Sequence, residues 1–297
     1  VVIQVYASSV NPYDWHMMTG TPRIARLAAG LTKPKDERMG RDVAGVVAAV
    51  GENVTEFKPG EEVFGGANGA YAEFATAKET SIIHKPASVS FEEAAGVGIA
   101  GYTALQGLNL GGQIEPGDDV LINGASGGVG TFAIQIAKAY GAEVTAVCST
   151  RNMEIARSLG ADRVVDYTQV DFLDTEDRYD LFFDTVGARG VLECRRVLKP
   201  TGRYVAASVP KNTLKILGRM IRTPLISMLG RRPLKLLSAA SKKEDLVLLA
   251  EMMADGKVKT VIDRTFEFDQ IPDALRYQGE GHAQGKSIIT IAASEEN

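Results

Sequence analysis

The stretch Asp118–Tyr140, flanked by Gly117 and Gly141, constrains the fold of this chain more than any other. Val120, Leu121 and Ile122 form the short apolar run of a fully buried parallel strand. The turn Gly124-Ala125-Ser126-Gly127-Gly128-Val129-Gly130 follows. A helix then starts at once, with Val129, Ala133, Ile136, Ala137 and Tyr140 at helical spacing. Such a helix start leaves backbone N–H groups without intrahelical partners and adds the positive end of the helix dipole, and both favour an anion. Glycine lets a pyrophosphate approach the backbone, and Gly130 lets the helix pack closely on the strand. Ala125 stands where a strict G-x-G-x-x-G has its first glycine, so the motif alone is weak. Its place between a buried strand and an amphipathic helix, with a second strand at Glu143–Cys148, predicts a dinucleotide cradle rather than an ordinary turn.

The residues after that second strand bear on the choice of nucleotide. An Asp or Glu about twenty residues past the glycines holds the ribose 2′-OH of NAD. Here the chain reads Cys148-Ser149-Thr150-Arg151-Asn152, with no acid to repel a 2′-phosphate. Ser149 and Thr150 are expected to donate hydrogen bonds and Arg151 to pair with the phosphate as a fork, which points to NADPH. The alternative for Arg151 is a solvated residue at a helix start.

Alternating strands and helices continue beyond this point, as in a doubly wound α/β sheet. Strands are predicted at Val164–Val165, Tyr179–Asp184 and Arg203–Ala207, with a helix through Cys194 to Leu198. From Val1 to Pro86 the pattern differs, with short strands at Val1–Tyr6, Val43–Val50, Glu62–Gly65, Ala70–Ala75 and Ser81–His84 divided by glycine and proline. This predicts an antiparallel, barrel-like β domain. Thr19–Met39 reads as a basic, partly helical excursion. Ser90-x-x-Glu93 and Ser241-x-x-Glu244 are capping boxes, the second opening a helix with Leu246, Leu249, Ala250 and Met253 on one face and Gly256 at its end. Thr260–Phe266 returns to strand, Ile271–Tyr277 to helix and Ser287–Ile291 to strand. Gly98 and Gly101 suit either a ligand or close helix packing.

With 297 residues the chain can bury a sizeable core and divide in two. A net charge of −4 argues against nucleic acid as the main partner. Cys148 and Cys194 are too few for a disulfide framework or a four-cysteine zinc site, which fits a reducing, cytoplasmic setting. The chain opens at Val1 inside a strand pattern, which suggests a clipped N-terminus. Lys211 to Lys243 carries Lys211, Lys215, Arg219, Arg222, Arg231, Arg232, Lys235, Lys242 and Lys243 with no acid between them. Interleaved leucine, isoleucine and methionine allow a membrane-surface face, but a pocket cover or subunit contact is the favoured reading.

Several runs together resemble the medium-chain dehydrogenase/reductase superfamily. They are Asn11-Pro12-Tyr13-Asp14, Gly40-Arg41-Asp42-Val43-Ala44-Gly45-Val46-Val47, Val50-Gly51, the run Phe57-Lys58-Pro59-Gly60-Glu61-Glu62-Val63-Phe64-Gly65 and Gly101-Tyr102-Thr103-Ala104-Leu105. The glycine turn, Leu159-Gly160-Ala161-Asp162, Asp184-Thr185-Val186-Gly187 and Gly285-Lys286 continue the match in the same order. Within the superfamily the chain is most similar to the zinc-free quinone oxidoreductase branch.

The resemblance implies a GroES-like substrate domain over residues 1–96 and 258–297 and a Rossmann domain over 97–257. It implies that Thr103, Val186, Ser208, Val209 and Lys286 join Gly124, Ala125, Ser126, Gly127, Gly128, Val129, Gly130, Ser149, Thr150 and Arg151 as cofactor residues. Tyr167 matches a tyrosine that touches the 2′-phosphate in the quinone reductases. Asn11, Tyr13, Asp14 and Arg41 match the family's cleft and are the polar candidates for catalysis, although Asp14 and Arg41 could instead form a structural salt bridge. Where zinc-dependent relatives carry metal ligands this chain has Asn11 and Arg41-Asp42; Asn is a poor zinc ligand and Arg is none. Enoyl thioester reductases of the superfamily use a tyrosine where this chain reads Thr19-Gly20-Thr21-Pro22. The expectation is a zinc-independent homodimer that passes hydride from NADPH to a quinone or an α,β-unsaturated carbonyl. A metal-free alcohol or aldehyde dehydrogenase and a catalytically weak NADPH-binding scaffold are the rivals.

Overall fold

A computed structural model of the chain describes residues 1–21, 26, 30–34, 36–208, 233–281 and 283–291. The first strands are β1 (Val2–Val10), β2 (Asp42–Ala49), β3 (Glu62–Gly66), β4 (Phe74–Thr76) and β5 (Ile82–His84). Then come β6 (Asp119–Asn123), β7 (Glu143–Cys148), β8 (Arg163–Asp166), β9 (Tyr179–Asp184), β10 (Leu198–Ala206) and β11 (Leu234–Leu236). The last two are β12 (Ile262–Glu267) and β13 (Lys286–Thr290). Two compact units result, one of residues 1–21, 25–102 and 240–297, the other of 22–24 and 103–239.

The first unit holds a seven-stranded sheet in the order β12-β13-β1-β2-β3-β5, with β4 also pairing β1. Strand β1 anchors it. One edge takes β2 along its length, while the other takes β4 at Val2–Gln4 and β13 at Ala7–Val10. The pairs are antiparallel except β12 with β13, which run parallel because helix Ile271–Glu280 carries the chain across between them. Residues 70–73, expected as strand, lie outside β4. Ile3, Val5, Val43, Val47, Val63 and Ile82 are buried together at the heart of this sheet.

The second unit is a six-stranded parallel sheet in the order β11-β10-β9-β6-β7-β8. Its central strands are the near-continuous apolar runs that burial on both faces demands: Val120, Leu121 and Ile122 in β6, and Leu181, Phe182 and Phe183 in β9, all at 0% exposure. Phe182 meets Tyr204 and Phe172 edge-on, at centroid distances of 5.3 and 6.1 Å.

The units divide at residue 102 and residue 240, not at the expected 96 and 257. Helix Lys243–Ala254 explains the shift. A Cβ on Gly65 would meet Leu246 at 2.8 Å, and one on Gly101 would meet Leu249 at 2.9 Å, so the helix is packed into the first unit. Gly101 is therefore a packing glycine, and so is Gly98, where a Cβ would lie 2.0 Å from Asp42 Oδ1.

The capping box at Ser90 forms as expected, with Glu93 N–H donating to Ser90 Oγ at 3.1 Å and Ser90 N–H to Glu93 Oε2 at 3.1 Å. The box at Ser241 does not. Its helix begins at Lys243 with no side-chain cap, because the Ser241 hydroxyl turns to Tyr102 Oη at 3.3 Å. The expected helix through Leu198 ends at Arg196, and Leu198 already belongs to β10. Of the basic segment, residues 211–232 lie outside the described residues, as do Val209 and His282. No helix among the described residues is long and apolar enough to cross a membrane.

Candidate cofactor cradle and a buried polar cluster

Between β6 and helix Gly128–Ala139 the glycines divide the labour. Gly124 sits at φ +81°, and a Cβ there would lie 2.3 Å from Thr185 Oγ1. A Cβ on Gly130 would meet the carbonyl oxygen of Gly124 at 2.2 Å, so only glycine lets the helix start lie against the turn. Gly127, the helix N-cap, is different. Its φ of −80° suits any residue, and its Cβ would have nothing nearer than 3.6 Å. It caps the helix without a side chain, leaving the first-turn N–H groups with the dipole's positive end and open space before them. A cradle whose open position is kept bare fits the pyrophosphate of a dinucleotide.

Adjacent parallel strands bring the next residues beside this turn, with Asn123 of β6 paired to Val147 of β7. Cys148 is followed by Ser149 and a single 3-10 turn, Thr150–Asn152. Arg151 and Tyr167 are exposed, the latter by 57%. Two expectations need correcting here. Thr150 does not present a donor to a ligand, because its hydroxyl already donates to Asp166 Oδ2. An acid is also present one strand over: Asp166 ends β8 and pairs with Cys148 across the sheet. Its other oxygen accepts from Thr168 Oγ1 at 2.7 Å and Thr168 N–H at 2.9 Å. These bonds from Thr150 and Thr168 hold its carboxyl below the usual range.

At the carboxyl end of β9, Asp184 organises the loop that carries Val186. It is fully buried. Its Oδ1 accepts from Asn123 Nδ2 at 3.0 Å, Val186 N–H at 3.1 Å and Gly187 N–H at 2.9 Å, and its Oδ2 from Tyr204 Oη at 2.7 Å. The sequence had shown Asp184 only as part of a matching run. A carboxylate directly after the apolar run Leu181–Phe183 was the available signal, since such a residue must find buried donors. Val186 itself is 51% exposed, Ser208 lies half-buried just beyond β10, and Thr103 is half-buried in helix Gly98–Asn109.

The first unit gathers a second polar group from residues far apart in sequence. Asp42 is 1% exposed, and its Oδ2 accepts from Ser9 Oγ and Asn11 Nδ2, both at 2.8 Å. Its Oδ1 takes the Ile99 N–H at 3.0 Å. Lys286, 3% exposed, donates from Nζ to Asn11 Oδ1 at 2.6 Å and stands 3.8 Å from Asp42 Oδ2. Burial pushes its ammonium below the usual lysine range. Lys286, expected among the cofactor residues, is thus part of this cluster.

Asp14 accepts the Asn11 N–H at 2.9 Å at the start of helix Pro12–Thr19. Burial pushes its carboxyl up to about 6, against the Asn11 N–H and with help from the Asp42 charge. Tyr71, raised well above the ordinary phenol by burial and by Asp14, closes this side. The Asp14–Arg41 ion pair, the alternative to a catalytic role, does not form. Arg41 bonds Asn68 Oδ1, lies 3.5 Å from Asp36, and places its guanidinium 5.6 Å from the centre of the Tyr13 ring. Of the four catalytic candidates, Asn11 and Asp14 are buried and Tyr13 is 41% exposed. Among the described residues, no three His, Cys, Asp or Glu side chains come together as a metal site. Cys148 and Cys194 are buried and unbridged.

Comparison with known proteins bears on both halves. Residues 1–87 match the alcohol dehydrogenase GroES-like domain family, and residues 159–289 match the zinc-binding dehydrogenase family. The chain is 35% identical to the mitochondrial NAD(P)H oxidoreductase RTN4IP1 of Mus musculus, over 98% of this chain and 81% of that protein. It is 34% identical to the 2-methylene-furan-3-one reductase of Solanum lycopersicum, over 97% of this chain and 71% of that one. Among solved structures, the quinone oxidoreductase from Coxiella burnetii matches with a TM-score of 0.87 at 30% identity, covering 98% of this chain and 90% of its own.

Proposed function

The chain belongs to the medium-chain dehydrogenase/reductase superfamily, in its quinone oxidoreductase-like branch, and from that premise we propose an NADPH-dependent, zinc-independent reductase of quinones or α,β-unsaturated carbonyls. That it is an NAD(P)H oxidoreductase built from a GroES-like and a Rossmann domain follows from the family. The choice of NADPH, the absence of zinc from the reaction and the acceptor class are the proposal.

The observation that carries it is the cradle, in which an uncapped helix start at Gly127 stands beside the turn Ser149–Asn152, which has no acid of its own and whose neighbour Asp166 is already occupied by Thr150 and Thr168. In this reading the N–H groups of Gly128, Val129 and Gly130 hold the pyrophosphate, and Ser149, Arg151 and Tyr167 meet the 2′-phosphate. Thr103, Val186 and Ser208 serve the nicotinamide end. The bound nucleotide supplies a hydride. Tyr13, the exposed phenol backed by Arg41, is assigned as hydrogen-bond donor to the acceptor's carbonyl oxygen, where negative charge develops. Asn11, Asp14 and Lys286 hold their shape from within.

Zinc independence is supported by residue chemistry. Asn11 donates to Asp42 and accepts from Lys286, and the ammonium already seated on its neutral amide oxygen repels a divalent cation there. Two relatives support the acceptor class, one named a quinone oxidoreductase and one a 2-methylene-furan-3-one reductase.

The test is NADPH oxidation with 1,2-naphthoquinone, an aliphatic enone and an aldehyde. Turnover with either of the first two is expected, and turnover with the aldehyde alone would overturn the acceptor assignment. Cofactor choice is read separately, from Arg151→Ala: NADPH binding should weaken at least about tenfold while NADH changes little, by loss of a charge-assisted phosphate contact. An equal effect on both nucleotides would refute NADPH. The homodimer and the cytoplasmic setting remain part of the proposal, and sedimentation velocity checks the first.

A further inference from the structure

We propose that Asn152 is a positioning residue that turns two serine hydroxyls, Ser126 and Ser149, into hydrogen-bond donors for the phosphate oxygens of the nucleotide; this rests on the dinucleotide reading above. Asn152 is 5% exposed and bridges two loops that the parallel sheet brings together, the glycine turn after β6 and the 3-10 turn after β7. Its Nδ2 donates to Ser126 Oγ at 2.8 Å and to Ser149 Oγ at 3.2 Å. An amide nitrogen has two hydrogens to give and accepts none. Each serine oxygen must therefore be the acceptor, which leaves both hydroxyl hydrogens to point elsewhere. Among the described residues neither hydroxyl has an acceptor of its own, and both serines are half-buried, so a ligand can reach them.

This setting of the amide leaves one buried acceptor unused. Asn152 Oδ1 is buried with no hydrogen-bond partner. The opposite setting of the amide would let Oδ1 accept from both serines, but it would consume both hydroxyl hydrogens and orphan Nδ2 instead. Ser126 directly precedes Gly127, whose bare Cβ position opens the helix start. The two hydroxyls thus extend the N–H donors of the cradle towards the end of β7. A carboxylate in place of the amide would reverse the polarity of the whole arrangement.

The experiment is a double-mutant cycle on the full chain, read as the NADPH Kd by fluorescence quenching, with steady-state KM and kcat beside it. In the native background Asn152→Ala should weaken NADPH roughly five- to thirtyfold, the scale of hydrogen bonds to a charged group. KM for NADPH should rise while kcat holds. In the Ser126→Ala, Ser149→Ala background the same change should cost less than about twofold, because the hydroxyls it acts through are gone. Asn152→Asp, nearly isosteric, serves if the alanine variant unfolds, and should weaken NADPH more in the native background than in the serine-free one. Equal costs in both backgrounds, or no cost in the native one, would overturn the positioning role. Failure of the unaltered protein to bind NADPH would instead sink the dinucleotide reading and leave Asn152 without its ligand.

Discussion

Asp14 shows how one buried carboxyl turns geometry into a pH dependence. Its pKa of about 6 in the fold exceeds the ordinary 3.8, so folding favours the protonated form. The stability it contributes is complete below about pH 4 and is lost as pH rises through 6, on the order of 3 kcal/mol by neutral pH. Burial is the main cause; of the charged or titratable neighbours, Asp42 adds to the rise while Tyr71 and Lys286 oppose it. The substitution Asp14→Asn keeps an oxygen for the Asn11 N–H and removes the charge. Thermal melts between pH 4 and 7 should therefore show a flatter dependence in the variant than in the native chain. An unchanged slope would mean that Asp14 ionises freely in the fold. Sequence reading selected Asp14 for its match to a family position; only burial revealed that it is held protonated into mildly acidic conditions.

At the scale of the element, the strand–turn–helix unit makes two glycines, three residues apart, respond in opposite ways. Gly130→Ala drives a Cβ into backbone, 2.2 Å from the Gly124 carbonyl, so the helix must lift off its strand. A loss of about 2–3 kcal/mol of stability is expected, typical of overpacking against groups that cannot yield. Gly127→Ala meets nothing closer than 3.6 Å and has an ordinary φ. Its melting temperature should stay within about two degrees of the native value, since the added methyl strains nothing. The same methyl occupies the approach to the helix N–H groups, and NADPH binding should weaken about tenfold or more. Calorimetry and fluorescence titration separate the two outcomes. If Gly127→Ala bound NADPH normally, the helix start would not be the pyrophosphate site.

For the whole molecule, dialysis against 1,10-phenanthroline should leave quinone or enone reduction unchanged, and elemental analysis of active protein should find well under one zinc per chain. Loss of activity restored by zinc would end the metal-free reading. Much of the architecture was legible from local pattern. The buried run Val120–Ile122, the glycine spacing after it and the box at Ser90 are demands that neighbouring residues make on one another through sterics, periodicity and capping. Hydrogen-bond partners distant in sequence were not legible, because they depend on what the fold brings alongside. Ser241 satisfied every rule for a cap and gave its hydroxyl to Tyr102, 139 residues away in sequence. Thr150 looked like a phosphate donor until β8 set Asp166 beside it. Lys286 and Asn11 meet across 275 residues. What the chain determined by itself was which segments are strand, turn or helix and where only glycine fits, since those constraints act over a few bonds. The tertiary structure alone decided which polar groups are buried, which are already paired and which remain to meet a ligand, because desolvation and pairing belong to the assembled neighbourhood.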